Sequence, residues 1–463
     1  VKSNLGHLLT AAGIPGMTKA IRAINEKIIP PTINLLEPIQ SKQGYFTAQQ
    51  MPTKTVDWPQ SNEHSQNAKP RIAGVSVFGF GGSNAHLVLQ EPSNKLDTGN
   101  AEQPKVAEPL AIIGMDAHFG HAESLAQFKT LLENDETTFR DLPTKRWKGI
   151  EQNSSVMNAL QLAKAPQGGY VEKFDIDFLR FKVPPNERDC LIPQQLMMMK
   201  VADNAAKDAG LTEGSNVAVL VAMGIELELH QYRGRVNLAT QIETSLQQQG
   251  VELSSTQRET LTNIAKDGVA SAAQLNQYTS FIGNIMASRI SALWDFSGPA
   301  ITLSAEENSV YRCVELAQSL FQTSDVEAVI IASVDLAGSI ENISLRQHYG
   351  DVDLAPAMDS ATVANQSFTD KNIAKNAQWK VGEGAGAFVV MPKSKVGQRS
   401  TGAGITYAHI DSVCFNHYHN GDIGKAIERS ASQALTAAGI QTQQVTSIEA
   451  HASGFSHEDN SEQ

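Results

Sequence analysis

The sequence predicts an α/β fold in which helices cover both faces of mainly parallel sheets. Three observations carry that expectation. Apolar runs of the length and type of buried strands recur at 110–115, 217–223, 300–303, 326–334 and 385–391. Between them lie stretches with apolar residues at helical spacing, at 124–132, 193–209, 281–296, 307–321 and 423–438. Stop signals separate the two kinds: Pro193 opens a helix that Gly210 closes, and Gly439 closes the last one before a strand at 447–450 that leads to His451.

The chain has 463 residues, enough for two or three domains. A net charge of −12 gives no electrostatic support to a nucleic-acid partner or an anionic membrane surface. The longest apolar run, 326–336, contains Glu327 and Asp335 and is too short to span a bilayer. Cys190, Cys313 and Cys414 are odd in number and far apart. They suit neither a disulfide framework nor a zinc site, and a reducing cytoplasm fits them best. The start at Val1 and the polar stop at Glu462-Gln463 suggest a piece of something longer.

From the start, Lys2, Asn4 and His7 set a cation, an amide and an imidazole ahead of an Ala/Gly-rich segment. That is either a catalytic cluster or a capping or core histidine, and the residues alone leave both readings open. Met17, Ala20, Ile21 and Ile24 keep a helical face, which Ile29-Pro30-Pro31-Thr32 ends. Residues 37–69 read as a surface loop with one aromatic anchor, Trp58. Strands at 71–77 and 85–90 flank the glycine-rich turn Phe78-Gly79-Phe80-Gly81-Gly82-Ser83-Asn84, a β-hairpin. Tight backbone geometry accounts for those glycines, and no helix follows them to cradle a phosphate. Residues 92–108 are polar and poor in large apolar side chains, as in a linker. Met197-Met198-Met199 reads as helix core.

Taken together, these stretches resemble the β-ketoacyl synthases. Val1-Lys2-Ser3-Asn4-Leu5-Gly6-His7 resembles their late histidine motif, and 74–86, from Gly74 to His86, their closing hairpin. Residues 1–91 therefore resemble the C-terminal part of a ketosynthase domain. After the linker the family's pattern restarts. Ile112-Ile113-Gly114-Met115 resembles its first strand, Pro143 with Arg146-Trp147 an early motif, and Phe174-Asp175 with Pro193-Gln194-Gln195 its dimer region. Gly298 to Thr302 resembles the strand entering the nucleophile turn, Gly382-Glu383-Gly384-Ala385-Gly386 a later element, and Glu449-Ala450-His451 the first catalytic histidine motif. Residues 109–463 thus resemble a chain-length-factor domain without its C-terminal part. The tandem is similar to the ketosynthase/chain-length-factor subunit of polyunsaturated fatty acid synthases. The implied fold is the thiolase-like αβαβα layering, in two incomplete copies.

The resemblance implies decarboxylative Claisen condensation of acyl and malonyl units carried on the phosphopantetheine of acyl carrier protein, in long-chain polyunsaturated fatty acid synthesis. The protein itself would bind no cofactor or metal. Its partners would be carrier domains, the paired ketosynthase or chain-length factor, and other synthase subunits. In the family two histidines hold a thioester carbonyl. His7 would be the late one of the first copy and His451 the first one of the second, so that neither copy carries a complete site. Asn4 and Lys2 would support the pocket of His7, and Phe80 would supply its oxyanion donor and gate. The second copy departs at the nucleophile: Ala305-Glu306-Glu307-Asn308-Ser309 places Glu307 where the family has cysteine. A carboxylate is a poor acyl acceptor, because it would yield a labile anhydride. Glu307 is left with three roles: a helix cap, a mimic of a bound acyl carboxylate that permits decarboxylation, or a plug in a scaffold. Cys313, six residues on, is read as core. His451-Ala452-Ser453-Gly454-Phe455 also departs from the family's His-Gly-Thr-Gly-Thr. The isolated chain is expected to be inactive, or to be a non-catalytic module that shapes its partner. By analogy, residues 1–91 could pack on 109–463 as a surrogate C-terminal piece.

Overall fold

A computed structural model describes residues 1–37, 42–43, 47, 50–59, 69–79, 82–92, 107–134, 136–183, 191–224, 227, 229–270, 272, 279–348, 352–354, 379–398, 405–417, 423–453 and 456–462. Two compact units divide the chain, Val1–Lys105 and Val106–Gln463.

In the first unit, helix α1 (Gly13–Glu26) lies against the antiparallel hairpin of β1 (Ile72–Phe78) and β2 (Asn84–Gln90). The hairpin is the one the sequence predicts. The loop that follows α1 carries pairing that its polar composition does not predict: Ile28–Ile29 runs antiparallel to Val56–Asp57. The Trp58 carbonyl then accepts a 2.6 Å hydrogen bond from the Arg71 guanidinium, which also meets Glu91 at 2.7 Å. The expected anchor therefore works through its backbone.

The second unit is built on one sheet. Its strands are β3 (Leu110–Phe119), β4 (Val217–Ala222), β5 (Ala300–Leu303), β6 (Ala328–Leu336), β7 (Val381–Pro392) and β8 (Ala408–Ile410). Their order is β8-β3-β7-β6-β4-β5, with Gly168–Gly169 pairing on β7. Among these six strands the β6-β4-β5 side is parallel, and Gly168–Gly169 runs parallel to β7. β7 runs antiparallel to both β3 and β6, and β8 antiparallel to β3. The expectation of a mainly parallel sheet is corrected to a mixed one, because side-chain periodicity reports burial and not strand direction.

The helices of this unit are α2 (Leu125–Glu133), α3 (Pro193–Asp208), α4 (Leu229–Gln248), α5 (Ser255–Val269), α6 (Gly283–Leu293), α7 (Ser309–Thr323), α8 (Ile340–His348), α9 (Ile423–Ala438) and α10 (Ser456–Glu462). Every residue of β4 is buried. Val217, Val219 and Val221 enter the core shared with α3 and α6, and Ala218, Leu220 and Ala222 enter the core shared with α7. That is why β4 reads as a continuous apolar run rather than an alternation. Met197, Met198 and Met199 lie in the α3 core, as their helical position predicts. A third cluster, around Trp147, Tyr170 and Ile343, closes the end of the sheet where the site described next is found.

Three further elements differ from expectation. Residues 447–450 form no strand. The helix expected from 307 starts at Ser309. An antiparallel pair, α4 and α5, joins β4 to α6 where the sequence predicts no helix. Neither helix buries a residue, so neither carries a strong apolar stripe.

Candidate functional site

Leaving β5, the chain makes a tight turn in which Glu306 takes a positive φ of 53°. Ser309 Oγ organises that turn: it accepts from the Ala305 N–H at 2.8 Å and donates to the Glu306 carbonyl at 2.6 Å. Asn308 flanks the helix without a side-chain capping bond. Glu307 therefore precedes α7 and does not cap it, which removes the first of its three expected roles. Its side chain is exposed and lines a cavity of about 330 Å³ with Gln194, Asp335, Asn342, Arg346 and Lys380.

The far wall of this cavity is charged. Desolvation by the surrounding sheet pushes the Asp335 carboxyl up; Arg346 opposes the shift, and Glu383 and Glu307 add to it. Arg346 stacks over Trp379 at 4.3 Å, and Lys380 pairs with Asp353 at 2.8 Å. Beneath lies the best-organised group of the region. Glu383, 5 % exposed, takes both arms of Arg146 at 3.0 and 2.9 Å, together with the backbone N–H groups of Val171 at 2.8 Å and Gly338 at 3.1 Å. Burial pushes its carboxyl up against the opposing pull of Arg146 and those two donors. Trp147 Nε1 donates to the Gly338 carbonyl at 2.8 Å. The Arg146-Trp147 and Gly382-to-Gly386 motifs, separate in sequence, are thus two halves of one clamp.

Cys313 is completely buried in the α7 core, and desolvation raises its thiol to about 11. It is a core residue. His451 follows a different pattern: its imidazole is exposed, and its backbone N–H and that of Ala452 donate to the Glu462 carboxylate at 2.7 and 3.2 Å. These two donors hold the Glu462 carboxyl below its usual range. Ala452 has φ 45°, where the family motif has glycine. His451 does not line the cavity that holds Glu307.

In the first unit, Lys2 and Asn4 share the single helical turn Lys2–Leu5, and Asn34 ties down that turn through the Ser3 carbonyl at 3.1 Å. His7 Nδ1 accepts from the Leu9 N–H at 3.0 Å, which leaves Nε2 as the ring nitrogen able to donate. All three side chains are exposed. His86 meets Ser76 Oγ across the hairpin at 2.9 Å. Phe80 lies outside the described residues.

The mixed sheet with helices packed on its faces is the thiolase-like ketosynthase fold. The profile of the beta-ketoacyl synthase N-terminal domain matches residues 107–396, and that of the C-terminal domain matches residues 1–36. The chain belongs to the beta-ketoacyl synthase family. It is 31 % identical over 444 residues to a polyunsaturated fatty acid synthase subunit from Thraustochytrium sp., an alignment that covers 93 % of this chain and 20 % of that protein. A solved structure of the PfaC keto synthase-chain length factor is 67 % identical with a TM-score of 0.87, covering all of this chain and 46 % of that one. A ketosynthase from module 6 of the Bacillus subtilis bacillaene synthase, 19 % identical over 77 % of this chain and 53 % of its own, shares the fold with a TM-score of 0.55. The chain therefore spans about a fifth of its curated relative and just under half of the solved one. No helix among the described residues is long and apolar enough to cross a membrane.

Proposed function

We propose that this chain is a segment of a cytoplasmic synthase subunit, with 1–91 the end of a ketosynthase domain and 109–463 most of a chain-length-factor domain. The parent condenses acyl and malonyl units delivered by acyl carrier protein. In that reaction a malonyl thioester loses carbon dioxide, the resulting enolate attacks an acyl-enzyme thioester, and the cysteine thiolate leaves. The Nε2–H that His7 keeps free supports its role as a donor to the thioester oxygen. Lys2 and Asn4 on the preceding turn would support that pocket, Phe80 would gate it, and His451 would be the matching histidine of the second domain.

One observation carries the reading that the second domain does not form an acyl-enzyme: Glu307 stands at the nucleophile turn, open to the cavity, while Cys313 is sealed in the core. Between the two remaining roles of Glu307, its place in the cavity wall favours the plug. The domain would then shape the tunnel of its active neighbour. Incubating the chain with acyl-loaded carrier protein and measuring its intact mass tests this. No added acyl mass is expected, and a covalent acyl group on the chain would refute it. In the complete synthase, Glu307→Gln should shift product chain length; an unchanged product profile and rate would exclude both the plug and the decarboxylative mimic.

A further inference from the structure

At the end of β3 two histidines carry buried ring nitrogens without a partner, both of them in His118 and one in His121. His118 is 1 % exposed, and neither ring nitrogen meets a partner with hydrogen-bond geometry. Its ring stands edge-on to Phe174 at 6.4 Å. Three residues on, Nδ1 of His121 is also buried without a partner. Between them the chain closes a tight turn, with the Phe119 N–H donating to the Ala122 carbonyl and the reverse bond returning, both at 3.0 Å. Gly120, at φ 56°, donates to the Glu383 carbonyl at 2.9 Å. The turn is held closely against the 136–140 segment: a Cβ on Gly120 would come within 2.9 Å of Thr138.

The charges around the two rings are mixed. Lys200 from α3 opposes protonation of His118, while Glu123 beyond the turn and Asp116 on its own strand favour it; Asp116 is itself bonded to Asn204 of α3 at 2.9 Å. Arg140 opposes and Glu136 favours a charge on His121. For both rings burial is the larger effect and pulls the imidazole down. The backbone of Gly120 favours a charge on His118 and that of Thr138 a charge on His121, but burial outweighs both, and a buried charge so weakly compensated is relieved most directly by admitting water.

Asp116, Phe119, Gly120 and Thr138 also line an apolar cavity of about 710 Å³ on the sheet. We infer that the His118–His121 turn is a proton-released latch on the rim of this cavity: proton uptake on either imidazole parts the turn from the Thr138 segment and opens the rim. The sign follows from linkage. Each ring stays neutral in the closed form and takes a proton in the open form, so closure is favoured above the free-imidazole range near about 6.5 and lost as pH falls below it.

Hydrogen exchange of the 463-residue chain, measured between pH 7.5 and 5.0 and corrected for the intrinsic pH dependence of exchange, tests the latch. Protection of amides 116–124 and 136–140 should fall by about tenfold per pH unit below that range, the response of one linked proton. Protection of 217–222 in β4 should stay constant. His118→Phe combined with His121→Phe should flatten the response. Constant protection of the turn, an equal loss in β4, or an undiminished response in the double variant would overturn the proposal. If the double variant does not fold, the wild-type series decides by its contrast between the turn and β4.

Discussion

Glu383 is held by Arg146 from a loop 237 residues away in sequence, and its carboxylate is withdrawn from water while Arg146 is half-buried, so the guanidinium cannot be removed cheaply. Arg146→Met should cost about 3–5 kcal/mol in urea unfolding, because it leaves a buried carboxylate facing only two backbone donors. Joint replacement of both partners by apolar residues should cost much less, and equal losses for the two variants would show that the pair has no such role. Both motifs are visible in the sequence but their partnership is not, since nothing local in a chain reports a contact across that separation. Cys313 is legible because its spacing from Val310, Val314 and Ala317 marks one helical face. Its raised thiol and burial predict that it resists alkylation at pH 8 in the native chain, whereas Glu307→Cys should be labelled at once. Peptide mapping after iodoacetamide treatment checks both. The start of α7 lies two residues later than its apolar spacing suggests, because Ser309 rather than Glu307 closes the turn.

Among the elements, the approach of α3 to β3 fixes how the outer helical layer sits on the sheet. A Cβ at Gly114 would stand 2.5 Å from the Ala209 nitrogen and 2.6 Å from the Ala205 carbonyl oxygen, so the helix backbone itself would have to move. Gly114→Ala should therefore destabilise the second unit by about 1–3 kcal/mol or more. Gly268, in α5, has nothing within 4 Å of its absent Cβ, and Gly268→Ala should stabilise that helix by up to about 1 kcal/mol. Thermal unfolding of the two variants against the parent separates close packing from helix propensity; destabilisation of similar size in both would contradict this account. The same contrast explains which elements are legible. β4 and α3 are enclosed on several sides and carry dense apolar patterns. The α4–α5 pair is stabilised by a Ser254/Gln257 capping box, by Arg258 with Glu243 and by Arg235 with Asp267, polar signals that resemble those of a loop. Strand direction in β7 leaves no trace in periodicity, because its antiparallel ladders bury the same alternating faces a parallel pair would.

Across the whole molecule, the order of family motifs is legible because each motif is local, and the two profile matches fall in that same order, the C-terminal-domain match before the N-terminal one. The two units are unequal in their interiors. In Val1–Lys105 the buried side chains among the described residues are Ala23, Ile24 and Arg71, while Leu9, Ile14, Phe78 and Val88 are each more than 60 % exposed. A segment of that size with so little enclosed apolar surface cannot offset the conformational entropy of ordering its chain. Val106–Gln463 holds all three apolar clusters. Residues 106–463 produced alone should therefore keep a cooperative denaturant transition with the midpoint of the full chain. Residues 1–105 alone should show no cooperative transition and should bind a hydrophobic dye. A sharp, independent transition in the shorter piece would mean that the α1 and β1-β2 packing is sufficient by itself, and would count against reading it as the end of a larger ketosynthase domain.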